Sequence, residues 1–159
     1  MLKIIVTGGS GQLATAIERA RRASAHDYRI MPVEELDICD SDALRCALQD
    51  ADIVINCAAY TDVERAEEER DLAIKINALS IKQMADICRE KGVKLIHIST
   101  DYVFGGNSNR TMPYTEEDST APLNIYGESK AMGEVEALKN GDAVVVRTSW
   151  LYSPWGTNF

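Results

Sequence analysis

The chain has 159 residues, of which 45% are hydrophobic and 26% charged, the profile of a soluble globular domain. Its net charge of −8 disfavours nonspecific binding to nucleic acid or anionic membranes. No apolar run approaches the ~20 residues needed to span a bilayer.

The four cysteines show neither CxxC nor zinc-ligand spacing, so we expect buried free thiols in a reducing compartment. The chain enters an apolar, strand-like run almost at once, which predicts that there is no signal peptide and that the protein is cytoplasmic.

Five short apolar runs, typical of buried strands, alternate with segments whose apolar residues recur at helical spacing. The predicted strands cover 2–6, 28–33, 52–59, 93–99 and 143–149. The predicted helices cover 11–23, 40–49, 63–92 with a break near Glu69, and 123–139. The charge run at 67–70 is expected to be a solvated face, and the polar segment 105–121 is of a kind that often carries function. This alternation predicts an α/β fold, a Rossmann-like doubly wound parallel sheet with helices on both faces.

A glycine-rich motif, "TGGSGQLA", lies between the first strand and the first helix. Gly8 permits a tight turn, Gly11 lets the backbone approach a pyrophosphate, and the small Ala14 allows the helix to pack closely on the sheet. The amino terminus of the helix offers free N–H groups and a positive dipole end to phosphates. A preceding strand and a following helix are the context that favours dinucleotide binding.

Acidic residues follow the second strand, where a dinucleotide-binding fold contacts the adenosine. Asp37 could bind the nucleoside or, like Asp40, cap the next helix. Glu34 lies where an acid favours NAD by binding the ribose 2′-hydroxyl. The choice between NAD and NADP stays open, because three arginines of the first helix could reach a 2′-phosphate: Arg19, Arg21 and Arg22.

Tyr126 and Lys130 are four residues apart on a predicted helix and therefore lie on one face of it. Ser99 and Thr100 end the fourth strand with hydroxyl groups. A hydroxyl, a tyrosine and a lysine can reduce a carbonyl: the hydroxyl holds the carbonyl oxygen and the tyrosine gives it a proton. The lysine charge is expected to lower the tyrosine pKa from its usual ~10 and the lysine can also hold the cofactor ribose. The hydride comes from the cofactor.

The segments "TGGSGQLA", "NCAAYT", "STDYVFGG", "YGESK" and "RTSWLY", in this order and spacing, resemble the extended short-chain dehydrogenases/reductases. Within that superfamily they are similar to the dTDP-4-dehydrorhamnose reductases over the whole chain, from Met1 to Phe159. The resemblance implies NADPH- or NADH-dependent reduction of the 4-keto group of dTDP-4-dehydro-L-rhamnose to dTDP-L-rhamnose, a step of nucleotide-sugar and cell-surface polysaccharide biosynthesis.

The resemblance also implies roles for individual residues. Thr100, Tyr126 and Lys130 match the catalytic trio. The residues that match cofactor contacts are Gly8, Gly11, Gln12, Leu13, Asp37, Ile38, Ala59, Tyr60, Thr61 and Ile98, together with Tyr126 and Lys130. Asp101 and Trp150, with Thr100, match residues that meet the sugar nucleotide.

Two departures from the family qualify these expectations. Some members form a magnesium-bridged dimer through a glutamate of the first helix, where this chain has Ala16, so we expect no metal site and, if a homodimer forms, one of another type. Family members also continue for well over a hundred further residues. Residues 1–159 are therefore expected to form an incomplete NAD(P)-binding domain that lacks the carboxyl-terminal substrate-binding part and leaves apolar surface uncovered.

Alternatives to the reductase remain. One is an epimerase or another reductase of the same superfamily that acts on a nucleotide sugar. Another is a non-catalytic regulatory subunit that binds a partner enzyme, as the β subunit of methionine adenosyltransferase does. A third is a cofactor-binding domain without activity of its own.

Overall fold

The strands of the computed structural model, which describes residues 1–139 and 141–156, form one parallel sheet. They are β1 (Lys3–Thr7), β2 (Asp27–Met31), β3 (Ile53–Asn56), β4 (Lys94–Thr100) and β5 (Val144–Thr148), in the order β2-β1-β3-β4-β5. The register pairs Val6 of β1 with Ile30 on one side and with Ile55 on the other. The strand order reverses at β1, so a crevice opens at the carboxyl ends of β1 and β3.

Helices connect the strands as the alternating pattern predicts. They are α1 (Gln12–Ala20), α2 (Ser41–Ala47), α3 (Arg65–Glu68), α4 (Arg70–Ile74), α5 (Ser80–Lys91) and α6 (Ile125–Leu138). Short 3₁₀ turns follow α1 at Arg21–Ala23 and β4 at Asp101–Val103, and a π-helical turn, Lys75–Leu79, joins α4 to α5. The fold confirms the predicted Rossmann-like parallel sheet.

The largest differences from the predicted elements lie around β3 and in the helices after it. The strand predicted at 52–59 covers only Ile53–Asn56. The chain leaves the sheet at Cys57, where the turn after β1 packs against its backbone. The predicted break near Glu69 is present, with φ −106° and ψ 39°, but the π-helical turn that follows was not predicted. Gly92 ends α5 in the left-handed conformation with φ 69°, as a helix-ending glycine commonly does.

The two faces of the sheet are covered unequally. One face carries a large core with α2 and α5, built around Ile5, Val54 and Leu95. The other face, with Ile4 and Val6, packs against Ala14 and Ile17 of α1. On β5, the side chains of Val144 and Val146 are 42% and 39% exposed, respectively. The expected uncovered apolar surface is therefore found at this end of the sheet.

The cysteines are all free thiols, but only one of them is buried. Cys88 lies in the large core, Cys39 and Cys57 are partly buried, and Cys46 is exposed on α2. The expectation of buried thiols was thus wrong for Cys46. Among residues 1–139 and 141–156, no helix is long and apolar enough to cross a membrane.

Candidate active site

The glycine-rich turn is held between the ends of two strands. The Gly9 N–H donates to the carbonyl oxygen of Met31 at the end of β2, at 2.9 Å. On the other side, Gly8 has φ +68°, and a Cβ added to it would lie 2.7 Å from the backbone nitrogen of Ala58. The turn therefore needs glycine at residue 8 both for its conformation and for its close approach to the chain after β3.

The amino terminus of α1 begins at this turn without a side-chain cap. Gly11 is the N-cap residue and forms no side-chain cap. The backbone N–H groups that open a helix form a site for an anion such as a phosphate. In its position after β1, this turn has the arrangement expected of a pyrophosphate-binding site.

Two adjoining cavities form one cleft along the carboxyl edge of the sheet, and four residues line both of them: Gly11, Cys57, Ala59 and Thr61. The first cavity, of about 420 Å³, is also lined by Gln12, Leu13, Ile98, Thr100, Asp101, Tyr126, Lys130 and Trp150. The second cavity, of about 380 Å³, is also lined by Gly8, Val33, Asp37, Ile38 and Ile76. The cleft thus brings together every predicted site residue except Tyr60.

Tyr60 is turned away from the cleft and is held by its backbone and its hydroxyl. Its N–H donates to Asn77 Oδ1 at 2.8 Å, and Asn77 Nδ2 donates to its carbonyl oxygen at 3.0 Å. Its hydroxyl donates to Glu69 Oε2 at 2.7 Å. In this structure, Tyr60 positions the loop that carries Ala59 and Thr61 rather than lining the cleft itself.

The two aspartates after β2 divide the roles that the sequence left open. Asp40 caps α2, because its Oδ1 accepts from the N–H groups of Asp42 and Ala43 at 2.9 and 3.0 Å. Asp37 lines the second cavity, and its Oδ1 accepts from the Cys39 N–H at 2.8 Å. A carboxylate acceptor therefore lies where the nucleoside of a bound dinucleotide would be.

Two of the three arginines that could reach a 2′-phosphate, Arg19 and Arg21, have other partners. The Arg19 guanidinium lies 3.9 Å from the centroid of the Trp155 ring. Arg21 donates to Glu18 at 2.7 and 2.9 Å. Of the cleft-lining residues in the described part of the chain, Lys130 is the one cation.

Thr100, Tyr126 and Lys130 meet in the first cavity from two elements. Thr100 ends β4, and α6 presents both Tyr126 and Lys130. Tyr126 packs edge-on against the Tyr102 ring at a centroid distance of 5.6 Å and lines the same cavity as Thr100. Lys130, only 3% exposed, donates from Nζ to the carbonyl oxygen of Ile98 at 2.7 Å.

Burial sets the direction of the pKa shifts in this trio. Burial lowers the pKa of Lys130 to about 8, while Glu134 and Cys57 act in the opposite direction. Burial raises the pKa of Tyr126 above its usual value; the hydrogen bond with Thr100 opposes this shift and Asp101 adds to it. The tyrosine pKa therefore moves opposite to the predicted lowering by lysine, because loss of solvation outweighs the other contributions.

Asp101 and Trp150 lie at the same end of the cleft as the trio. Asp101 Oδ1 accepts from the Thr100 hydroxyl at 3.2 Å, and its Oδ2 accepts from Ser149 Oγ at 2.7 Å. Trp150 is 72% exposed and has φ 54°, an unusual conformation for a bulky residue. An acceptor and an exposed indole ring thus line the same cavity as the Thr100 and Tyr126 hydroxyl groups.

Two sets of residues near the cleft had no signal in the sequence. Asn77, in the π-helical turn, donates to Ser129 Oγ at 2.9 Å, and Ser129 Oγ donates to the carbonyl oxygen of Tyr126 at 2.8 Å. Glu134 on α6 accepts from Arg147 and Ser99. The side-chain partners of Asn77 and Glu134 are 13 to 52 residues away along the chain, so no local motif marks them.

The charge run after β3 lies on an exposed face, and two of its residues also contact α6. Glu67 Oε1 accepts from the Ile125 N–H at the start of α6, at 2.9 Å. Arg70 pairs with Glu128 of the same helix at 2.8 Å. These contacts fix the end of α6 that carries Tyr126, while Glu67, Glu68 and Arg70 are exposed as predicted. In residues 1–139 and 141–156, no group of three His, Cys, Asp or Glu side chains could hold a metal ion.

Comparison with known proteins finds relatives that share one name. A protein of Mycolicibacterium smegmatis named dTDP-4-dehydrorhamnose reductase is 42% identical over 94% of this chain and 46% of its own length. One of Escherichia coli with the same name is 39% identical over 99% of this chain and 54% of its own length. A crystal structure of dTDP-4-dehydrorhamnose reductase from Bacillus anthracis in complex with NADP superposes with a TM-score of 0.92 at 39% identity, covering 99% of this chain and 56% of that one.

These names agree with the resemblance to the reductases and give no support to the regulatory-subunit alternative. The chain spans about half the length of these relatives. The family model described as the RmlD substrate binding domain matches residues 2–159. The chain therefore belongs to the RmlD substrate-binding domain family.

Proposed function

We propose that this chain is the cofactor-binding and catalytic portion of a dTDP-4-dehydrorhamnose reductase, which reduces the 4-keto group of dTDP-4-dehydro-L-rhamnose with NADPH or NADH. The observation that carries the proposal is the convergence of Thr100, Tyr126 and Lys130 in a cleft continuous with the glycine-rich turn. The names of the relatives and the NADP bound to the Bacillus anthracis protein support it.

The residues of the cleft fit a dinucleotide. Gly8 and Gly11 leave room for the turn, and the uncapped start of α1 suits the pyrophosphate. Asp37 and Ile38 line the second cavity, where they offer an acceptor and an apolar wall to the adenosine. Lys130 would donate to the nicotinamide ribose. When bound, the cofactor supplies the hydride.

The trio supplies the proton and the orientation. Thr100 Oγ1 would hold the carbonyl oxygen beside Tyr126, and the Tyr126 hydroxyl would give its proton to that oxygen as the carbon accepts the hydride; the position of both side chains in one cavity supports these roles. Burial raises the pKa of Tyr126 further above neutrality, so the hydroxyl keeps its proton until it is transferred. Below pH 8, Lys130 is mostly charged, and its ammonium group favours the tyrosinate that forms when the proton leaves.

The same proposal includes the extent of the domain, the type of homodimer and the cellular compartment. Residues 1–159 form the NAD(P)-binding domain, and Asp101 and Trp150 begin a substrate site that a further part of the enzyme completes. Any homodimer does not use a magnesium bridge, because Ala16 of α1 has no ligand atom. We place the reaction in the cytoplasm, where reduced nicotinamide cofactors and dTDP-sugars are available.

The test is turnover by the purified chain with NADPH and dTDP-4-dehydro-L-rhamnose, followed by the loss of NADPH absorbance. Tyr126→Phe is expected to lower the rate by about 10²- to 10⁴-fold, the usual contribution of a general acid, with NADPH affinity unchanged. Tyr114→Phe is the matched control, because this tyrosine stacks on Phe104 away from the cleft. A Tyr126→Phe variant as active as the parent would contradict the assignment of the acid. Binding of NADPH without turnover by the parent chain would mean that the sugar nucleotide needs the further part of the enzyme, whereas a folded parent chain that binds neither NADPH nor NADH would contradict the proposal.

A further inference from the structure

A buried carboxylate lies behind the candidate active site, one helical turn from Lys130. Glu134 of α6 is 3% exposed and accepts three hydrogen bonds. Its Oε1 accepts from Ser99 Oγ at 2.6 Å and from Arg147 Nε at 2.9 Å, and its Oε2 accepts from Arg147 Nη2 at 2.7 Å. One carboxylate thus joins α6 to both β4 and β5.

We propose that Glu134 is a positioning residue that acts on the cleft through Lys130, and that Arg147 and Ser99 fix its carboxylate for this role. The proposal rests on the proposed function, in which Lys130 must be charged and correctly placed. It adds two residues, Glu134 and Arg147, that line neither cavity of the cleft.

The position of Glu134 is coupled to that of both catalytic elements. Lys130 and Glu134 are four residues apart and lie on the same face of α6. Ser99, which Glu134 holds, precedes Thr100 in β4 and follows Ile98, whose carbonyl oxygen accepts from Lys130 Nζ. A shift of the Glu134 carboxylate would therefore move the lysine and the strand end that carries the catalytic hydroxyl.

Arg147 is itself fixed by aromatic packing. Its guanidinium lies 4.8 Å from the Phe104 ring centroid, and Phe104 stacks on Tyr114 at 4.1 Å. The Arg110 guanidinium carbon lies 4.2 Å from the centroid of the Tyr114 ring. The Arg147 side chain is 24% exposed and that of Glu134 is 4% exposed. The bidentate contact with Glu134 is consequently a fixed, partly desolvated pair rather than a mobile surface contact.

Among the described titratable neighbours of Lys130, Glu134 is the one whose negative charge favours the charged lysine. Cys57 faces Lys130 from the chain after β3, His97 from β4, and Tyr126 from α6. Burial raises the pKa of the Cys57 thiol to about 12 and lowers that of His97 to about 3, so both are neutral near pH 7. Glu134 remains as the carboxylate that favours the charged lysine, against the effect of burial.

The first experiment measures the titration of Lys130 itself in the cofactor-free chain. Lysine side chains are labelled with ¹³C at Cε, and the Lys130 resonance is assigned by its loss in Lys130→Met. In Glu134→Gln, which keeps an acceptor for Ser99 but loses the charge, the Lys130 midpoint is expected to fall by at least about one pH unit. Glu136→Gln is the matched control, since Glu136 lies on the same helix but pairs with Lys139, and it is expected to leave the midpoint unchanged.

A second variant is expected to shift the Lys130 midpoint in the opposite direction. Arg147→Gln leaves the Glu134 carboxylate without its guanidinium, so the Lys130 midpoint is expected to rise. If Glu134→Gln does not fold, Arg147→Gln still tests whether the Glu134 carboxylate acts on Lys130. An unchanged Lys130 midpoint in whichever of the two variants folds, or a shift of equal size in Glu136→Gln, would overturn the proposal.

The functional readout is the pH profile of NADPH affinity. Affinity is expected to fall as Lys130 loses its proton, and the fall should begin at lower pH in Glu134→Gln than in the parent chain. If no variant binds NADPH at any pH, the proposed function fails while the Lys130 titration still reports on Glu134. If NADPH binds with the same pH profile in parent and Glu134→Gln, the inference fails and the proposed function stands.

Discussion

Replacing Gly8 with alanine tests whether the glycine-rich turn is built for close approach to β3 or only for its backbone conformation. Gly8 and Gly92 have nearly the same left-handed conformation, with φ +68° and +69°. An added Cβ would meet nothing within 4 Å at Gly92, but at Gly8 it would lie 2.7 and 2.8 Å from the nitrogen and Cα of Ala58. The two substitutions therefore share the conformational cost and differ in the steric overlap.

The conformational cost and the cost of steric overlap contribute separately to the expected loss of stability. The left-handed conformation costs an alanine about 1–2 kcal/mol at either position. The overlap of Gly8→Ala with backbone atoms adds about 1–3 kcal/mol, the usual cost of overpacking, since a backbone cannot move aside as a flexible side chain can. For a chain of this size, each kcal/mol corresponds to about 2–4 °C in melting temperature.

Urea denaturation gives the free energy of unfolding of both variants, and NADPH titration gives the affinity of each. We expect Gly92→Ala to lose only the conformational term and to bind NADPH like the parent. Gly8→Ala should lose more stability and bind NADPH more weakly, because the turn and the start of α1 move away from β3. Equal losses of stability in the two variants, with equal NADPH affinity, would refute the reasoning.

Three further substitutions test the buried charges and the anchoring of α6. Burial of Lys130, with a pKa of about 8 instead of 10.5, costs the folded chain about 3 kcal/mol at neutral pH. Loss of its hydrogen bond to a backbone carbonyl offsets about 1 kcal/mol, so Lys130→Met is expected to gain about 2 kcal/mol at pH 7. That gain should disappear as the pH rises from 8 to above 10, and a lower melting temperature than the parent at pH 7 would contradict it. His97, with a pKa of about 3 when folded, binds fewer protons than in the unfolded chain between pH 6.5 and 3, so stability falls with acidity there. His97→Gln should flatten that slope by about 1.4 kcal/mol per pH unit, and an unchanged slope in urea titrations would count against it. Glu67→Ala removes the acceptor of the Ile125 N–H and should cost about 1 kcal/mol, whereas Glu68→Ala, beside it on α3, should cost almost nothing; equal costs would exclude the cap.

The strands and the position of the cleft could be predicted because they depend on local patterns. Short apolar runs mark the strands, and the spacing of Tyr126 and Lys130 on one helix places both side chains on the same face. The carboxyl-edge rule then brings Thr100 and the glycine-rich turn to the same crevice. Each of these inferences needs only the sequence within one element and the order of the elements.

The parts that could not be predicted depend on distances between elements. Tyr60 follows β3 as a cofactor contact would, yet Asn77 from a π-helical turn holds its backbone and turns its ring toward Glu69. Glu134 and Arg147 look like ordinary charges of a helix and a strand until β5 is placed beside β4. The pKa of Tyr126 rises because the side chain is buried, and burial depends on the tertiary fold rather than on the tyrosine–lysine spacing.

The central claim is that this cleft binds a nicotinamide dinucleotide, and a fluorescence titration of the purified chain with NADPH and, separately, with NADH tests it most directly. A cooperative urea transition measured on the same sample establishes that the chain is folded. The account predicts saturable binding of at least one of the two cofactors, weakened in Gly8→Ala and retained in Gly92→Ala. A folded chain that shows no saturable binding of either cofactor would contradict it.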